Sequence, residues 1–567
     1  MHDAGGAGSR RGVLAAAIVI VLVGAAAYAN GLNGPFVFDD KGAIVRNRSI
    51  ENLASIGDVL FSGKYATVIG RPVYSLSLAV SRLLHGTAVF GWHATNVAIH
   101  VAAGLALFGV VRRTLSAPRA PQTLAPHATG LAFAVALLWT VHPLQTESVT
   151  YVCQRTESLA GLFVLATMWC ALRGTESSRP RVWSAASVAF CLLAMGTKES
   201  AAATPLLVLL HDRAFSAGSF RDALRRRPAL YAGLAATWIA LAALVLSSSG
   251  RAGSAGLGSG VGVLEYAATQ PGAIVTYLRL SFWPHPLILD RGAHLATTMG
   301  EIVPAALVVA LLLVATVHAL RARPQLGFLG AWFFLVLAPS SSVVPLATQT
   351  VAEHRVYLPL AAVVTLAVLA FHRATRACAV LRAPALVAAA AALAWTTHVR
   401  NEDYRTELAL WRADVEHAPW NDRALLNCGA CLQDAGDIAG ALRMFERAVA
   451  IAPRNPLAYV CRGNALLALG RDEDAAQAFT EMLSAAPELS AVAYDGRARV
   501  RHAQGRFQDA LADFDAAIGI FPGYARAYAG RAETRLSLGD YAGADADAKE
   551  CERLGFPRPV LFSTRMR

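Results

Sequence analysis

Apolar runs of 10 to 19 residues alternate with short polar loops from Val13 to Thr397, and beyond about Asn401 the pattern turns to mixed amphipathic stretches. The runs cover Val13–Ala29, His93–Val111, Ala128–Val141, Ser158–Leu172, Val182–Met195, Ala201–Leu210, Ala229–Leu246, Ile302–Leu320, Leu326–Ala338, Val356–Phe371 and Ala385–Thr397. Unbroken apolar stretches of this kind predict helices that cross a bilayer, the shortest of them at or below the usual length. The first run, after Arg10-Arg11, has the pattern of a secretory signal ending at Ala27-Tyr28-Ala29 or of an uncleaved first span; the second is the expectation here. Between the first two runs lies a long loop. It carries an expected amphipathic helix with Ile50, Leu53, Ile56 and Leu60 on one face, then an apolar helix from Val73 to Leu84.

Arginine sets the orientation. The N-terminus and the loops at Arg112, Arg173, Arg221–Arg227, Arg321 and Arg373–Arg382 are cytoplasmic by the positive-inside rule. They share one side only if the short apolar stretch Pro271–Trp283 stays re-entrant or at the outer surface. About eleven spans result, with residues 401–567 on the outer face. A Gly/Ser-rich loop, Ser247–Gly262, is flexible by composition.

The C-terminal third repeats. Gly429 and Gly463, Ala441 and Ala475, Phe445 and Phe479, and Pro453 and Pro487 each stand 34 residues apart. Ala510, Phe514, Ala517 and Pro522 continue the pattern one residue later, and Ala532 and Ala544 open a fourth unit. Trp411 to Pro419 matches the second half of an incomplete first unit. This is the helix–turn–helix period of tetratricopeptide repeats, which stack into a concave surface for peptides or proteins. The expected fold is therefore all-α: a polytopic membrane helix bundle over residues 1–400, followed by an α-solenoid of about four repeats over residues 401–567.

Composition agrees. The chain is 55% hydrophobic and 16% charged, with a net charge of +12 carried almost wholly by Arg. Such a balance excludes an ordinary soluble enzyme, and Arg confined to loops between apolar runs excludes a nucleic-acid binder. Cys428 and Cys431 form a lone CxxC inside a repeat helix, where small residues are needed for packing; no zinc-type pair of such motifs exists.

The polar residues that carry chemistry collect at the outward ends of the spans. They are Asp39-Asp40, Arg71, His142, Glu147, Arg155, Glu157, Lys198-Glu199 and Glu353-His354-Arg355. One such residue would be an interfacial anchor. Both signs converging on one side predict a polar pocket with cations for a phosphate and carboxylates for acid–base work. In the pair Asp39-Asp40, mutual repulsion is expected to raise one pKa, which suits a general base.

Several stretches together resemble one family. They are Phe36-Val-Phe-Asp-Asp40, Arg71-Pro72, Gly91-Trp-His-Ala-Thr-Asn96 with His100, and His142-Pro-Leu-Gln-Thr-Glu147. Arg155-Thr-Glu157, Lys198-Glu199 and Glu353-His-Arg-Val-Tyr-Leu358 continue the series. In this order, and followed by repeats, they resemble the transmembrane and tetratricopeptide-containing protein O-mannosyltransferases of the GT-C fold. The resemblance implies a catalytic acidic pair and a polyprenyl-phosphate sugar donor. It departs at Glu157, where the family commonly has Asp, and in its short repeat array. The Arg-rich, Lys-poor composition points to a bacterial relative.

The chemistry this implies is inverting transfer of a sugar, with mannose the leading choice, to Ser or Thr hydroxyls of exported proteins bound through the repeats. Asp39 or Asp40 takes the proton. Arg155 and Arg355, with Arg71 and Lys198 in reserve, hold the phosphate; Arg suits bidentate contact. His142, Glu147, Glu157, Glu199, Glu353, His354 and Tyr357 are candidates to orient substrate. No cofactor or resident metal site is expected, and a divalent ion's part is left open by the residues. The expected location is a bacterial inner membrane, with the catalytic loops and repeats on the periplasmic face. Two alternatives stand beside this reading. One is a non-catalytic membrane-anchored scaffold that recruits envelope proteins. The other is a glycosyltransferase acting on a lipid or glycan acceptor.

Overall fold

A computed structural model describes residues 4–61, 65, 67–248, 262–342, 345–346 and 349–557. The described residues are helical and hold no strand, as the all-α expectation requires. Most of the loop Ser247–Gly262 lies outside them. The chain divides into two compact units, Met1–Leu410 and Trp411–Arg567.

Among the described residues of the first unit six helices are long and apolar enough to cross a membrane: Arg10–Ala27, Val89–Leu115, Val152–Glu176, Pro228–Ser247, Met299–Ala322 and Ala379–Asp403. A seventh arises if Ala125–Thr140 and Pro143–Thr150, bent by 55° at His142, count as one. Three further apolar helices, Pro180–Met195, Pro324–Leu337 and Pro359–Ala374, are shorter. Each opens on a proline, which fits the first turn because its missing N–H would be unpaired there anyway. These features make the chain an integral membrane protein.

Three local expectations differ. The run Ala201–Leu210 forms a 3-10 turn, Glu199–Ala203, and an eight-residue helix, Thr204–His211. A π-helical segment, Asp212–Ala217, continues it directly, so the helical stretch changes type along its length instead of forming one regular α-helix. The stretch Pro271–Trp283 is mostly the second half of a continuous 20-residue helix, Val263–Phe282, with Pro271 inside it. The amphipathic helix expected through Ile50 and Leu60 is broken into a 3-10 turn, Arg48–Ile50, and a short helix, Ile56–Phe61. Asparagine side chains cause the break: Asn47 accepts the Ser49 N–H and Asn52 accepts the Ala54 N–H, each closing a local turn.

An aromatic stack occupies the core of the first unit. His100 packs between the rings of Tyr28, at 5.4 Å, and Trp139, at 5.1 Å. Tyr357 closes on Trp139 at 4.9 Å and donates its hydroxyl to His100 Nδ1, whose Nε2–H donates to the Thr140 carbonyl. Gly161 admits this ring, since a Cβ there would stand 2.5 Å from it.

The second unit holds four helix pairs: Asp422–Asp434 with Ile438–Ile451, Pro456–Ala468 with Asp472–Ala485, Ser490–Ala503 with Phe507–Ile520, and Ala525–Ser537 with Tyr541–Arg553. Small residues let the helices close on the recurring phenylalanine. A Cβ at Gly463 or Gly496 would lie 2.5 or 2.3 Å from the Phe479 ring, so that ring is held from both neighbours. Arg497 and Arg501 both clamp Asp513, and 34 residues on Arg531 and Arg535 both clamp Asp547. Cys428 is a buried, free thiol.

Candidate functional site

The acidic pair sits in a tight turn after the first long helix. Asp40 is fully buried. Its Oδ2 accepts the Val37 N–H at 3.1 Å and its Oδ1 accepts the Cys153 N–H at 2.7 Å. Its own N–H donates to the Val37 carbonyl at 2.9 Å, so the residue closes the turn from both sides. Phe38, at the turn's apex, has a φ of 47°. Bulky residues rarely occupy that left-handed region, at a cost of about 1–3 kcal/mol unless the surroundings enforce it. Asp39 is only half-buried, and its N–H donates to the Tyr151 hydroxyl at 3.0 Å.

The Asp40 carboxyl is pushed up to about 7. Burial is the main cause; the Cys153 thiol and then the Val37 and Cys153 backbone N–H groups oppose it, and the charge on Asp39 is the smallest contribution. The sequence expectation of one raised carboxyl thus meets a different cause: desolvation outweighs repulsion.

Of the thirteen side chains singled out from sequence, ten are buried, and only Asp39, Lys198 and Glu199 are half-buried. The buried ones have internal partners. Arg155 donates through Nε to Asn96 Oδ1 at 2.6 Å and through its terminal nitrogens to Ser81 Oγ, the Ser77 carbonyl and the Trp92 carbonyl. Its guanidinium also lies 5.5 Å from the Trp92 ring centre. Arg355 donates to the carbonyls of Ser340, Gln349 and Thr350 and to the Tyr266 hydroxyl. His142 donates Nε2–H to the Ser281 carbonyl and accepts the Leu144 N–H on Nδ1, capping the turn at the 55° bend. Glu353 accepts the Ile288 N–H and pairs with Arg291. Tyr357 belongs to the aromatic core.

A second set forms one charged cluster. Lys198 pairs with Glu157 and Arg71 with Glu199. Glu147 accepts both the His354 N–H, at 2.8 Å, and its Nδ1–H, at 2.6 Å. Burial, then the charge of Lys198, holds the His354 ring neutral, well below its ordinary range; Glu157 and Arg71 also act on it. Arg71 in turn has Tyr74, Glu157 and Cys153 as electrostatic neighbours, and Cys153 has Asp40 and Asp39. The Arg71 Nε is buried with no hydrogen-bond partner among the described residues. Charged cluster and acidic pair therefore adjoin through Cys153 and Tyr74. Among the described residues, no three His, Cys, Asp or Glu side chains gather as metal ligands.

Sequence reading missed Tyr151, Cys153, Tyr74 and Asn401. The first two stand just before Arg155, which was the available signal. Asn401 is a hub: its Nδ2 donates to the Ala27 carbonyl at 3.0 Å, and its Oδ1 accepts the Thr150 hydroxyl at 2.8 Å. No local pattern announces it.

Residues 432–490 and 496–551 match the tetratricopeptide repeat family. Protein O-mannosyl-transferase Tmtc3 of Drosophila melanogaster is 25% identical over 603 aligned residues, covering 90% of this chain and 64% of that protein. Protein O-mannosyl-transferase TMTC1 of Mus musculus is 31% identical over 167 residues, 28% of this chain and 17% of that one. TMTC4 of Homo sapiens is 31% identical over 166 residues, 26% and 22% of the two chains. The matches span less than two thirds of these relatives' lengths. Over 90% of its own length the chain is similar to a protein O-mannosyl-transferase.

Proposed function

We propose that the chain is a membrane glycosyltransferase. It moves a sugar, mannose by the names of its relatives, from a polyprenyl-phosphate donor to Ser or Thr hydroxyls of exported proteins. The observation that carries this reading is the split within the acidic pair. Asp40 spends both carboxylate oxygens on backbone N–H groups, while Asp39 is held half-buried beside a strained turn. Asp40 is then a positioning residue and Asp39 the base.

The acceptor hydroxyl oxygen attacks the anomeric carbon and its proton passes to an Asp39 oxygen. The bond from anomeric carbon to phosphate oxygen breaks, and the phosphate leaves with the electron pair, giving inversion. Phosphate is a good leaving group, so no acid is needed opposite the base. Lys198 and Arg71 are assigned to the phosphate: Lys198 is half-buried and Arg71 keeps an unpartnered Nε. Arg155 and Arg355 are assigned to the scaffold instead, because their donors are taken up internally. The outer face of a bacterial inner membrane, with the repeats presenting the acceptor, is the setting this reading requires.

The test is transfer of label from polyprenyl-phosphate mannose to protein in membranes carrying the full chain, with other lipid-linked sugars run in parallel. The reading expects transfer from one donor, lost in Asp39→Asn. No transfer from any donor would overturn it.

A further inference from the structure

A cavity of about 340 Å³ lies between three helices of the first unit, far from the acidic pair. Leu107 and Val111 line it from Val89–Leu115, Leu329 and Trp332 from Pro324–Leu337, and Ala362 and Leu369 from Pro359–Ala374. Asn96, beside Arg155, and Thr114, in the cavity wall, stand 18 residues apart on one helix, about 27 Å at 1.5 Å per residue. The cavity therefore sits toward the Arg-rich ends of these helices.

Its polar atoms are largely spoken for. The Trp332 Nε1–H donates to the Leu358 carbonyl, which leaves the indole to act as an apolar wall. The Gln325 amide donates to the carbonyls of Arg119 and Ala214. At the foot stands Arg323, exposed and making no ion pair among the described residues. Arg119, whose carbonyl Gln325 holds, is also exposed. Asp212, nearby in sequence to the lining Phe215, is already bonded to Arg227 and the Tyr231 hydroxyl. An apolar slot with unneutralised cations at its foot suits an amphiphile with an anionic head. The volume is at the low end of ligand cavities, about 300–1,000 Å³, enough for a single chain.

We infer that this groove binds an anionic phospholipid of the leaflet on the Arg-rich side, one acyl chain between the three helices and the phosphate at Arg323. Basic pockets between membrane helices recognise such headgroups by charge, while the chain gains apolar contact. The inference does not use the transferase reading and is separable from it.

The experiment places the full-length chain in phosphatidylcholine nanodiscs containing a phosphatidylglycerol probe with a diazirine in its acyl chain. A phosphatidylcholine probe with the same chain and a diazirine polyprenyl phosphate are run alongside, and adducts are mapped by mass spectrometry. Adducts should concentrate on residues 107–115, 326–332 and 361–369. They should exceed the phosphatidylcholine probe by about fivefold, the preference one arginine supplies near an anionic headgroup. Arg323→Gln, at an exposed site, should bring that ratio to about one without moving Tm. Ala362→Trp should fill the groove and remove its adducts. If that variant fails to fold, the Arg323→Gln comparison decides alone. Equal labelling by the two phospholipids, or adducts as dense on the exposed helix Met299–Ala322, would overturn the inference. Preference for the polyprenyl phosphate over both would overturn it too, assigning the groove to an isoprenoid chain.

Discussion

The two units use buried charge in opposite ways. In Trp411–Arg567 the buried aspartates of the repeats Asp495, Asp513 and Asp547 meet arginine a short distance along the chain: Asp513 is 16 residues from Arg497 and Asp547 is 16 from Arg531. The arrangement recurs from one repeat to the next. At the acidic pair and the charged cluster of Met1–Leu410 partners come from far along the chain: Asp40 meets the Cys153 N–H 113 residues away, and Glu147 meets His354 across 207. Periodic local pairs build a surface that repeats. Long-range, non-repeating pairs build one singular place. Chemistry requires the second, because a general base must be held where no equivalent position competes with it.

The largest effect expected of this difference is on arginine removal. Arg155→Ala leaves the buried Asn96 and Ser81 oxygens without their donor, at about 1–3 kcal/mol for each group left unsatisfied, and opens a cavity in the buried site. The full chain should fail to extract as a folded protein. Arg497→Ala should cost only about 1–2 kcal/mol, since Arg501 still pairs with Asp513. Thermal unfolding of the two variants, side by side, checks this.

Next in size is overpacking in the repeats. Residues 420–556 should fold alone as a helical fragment, because each pair buries its apolar face on its neighbour. Gly496→Ala pushes a methyl to 2.3 Å from the Phe479 ring and should lower that fragment's stability by about 1–3 kcal/mol in urea unfolding. A fragment with little helical circular dichroism would break the comparison.

A smaller effect should follow pH. The Asp40 carboxyl, raised to about 7 by burial, binds its proton more tightly in the folded chain than in the unfolded one, where it titrates near 3.8. Its contribution is fully present below about pH 4 and is lost as pH rises through about 7. Asp40→Asn lacks this titration. Wild type should therefore lose Tm relative to Asp40→Asn between about pH 4 and pH 7, in detergent.

The smallest effect expected is at the surface pair Lys41–Glu407. Its side chains are 48% and 23% exposed, so Glu407→Gln should change stability by less than about 1 kcal/mol.

These contrasts explain what the sequence made legible. The repeats could be read because Gly463, Phe479 and their counterparts recur in phase, and the same small-to-large contact recurs in space. The apolar runs could be read as helices, but Ala201–Leu210, where the helix changes from 3-10 to α and then to π, shows that an apolar run does not fix one regular helix. The charged residues of the first unit could be found, because polar groups at the ends of apolar runs are conspicuous. Their roles could not. Arg155 and Lys198 are both cations within two residues of a glutamate in sequence, yet one is fully buried among oxygen acceptors and the other is half-buried in an ion pair with Glu157. Only the long-range partners distinguish them. The same holds within Asp39-Asp40, where adjacent identical residues differ through Cys153, which is distant along the chain.

That difference is the account's central claim, and one paired measurement tests it directly. Sugar transfer and thermal stability are measured on the full chain for wild type, Asp39→Asn and Asp40→Asn. The account predicts that Asp39→Asn cuts transfer by about two orders of magnitude or more, the scale of lost general-base catalysis, with Tm unchanged. Asp40→Asn should retain measurable transfer but lower Tm, more at acid than at neutral pH, because its amide NH₂ cannot accept the second backbone N–H. Full transfer by Asp39→Asn, or abolished transfer at unchanged Tm for Asp40→Asn, would contradict the assignment of base to Asp39 and of scaffold to Asp40.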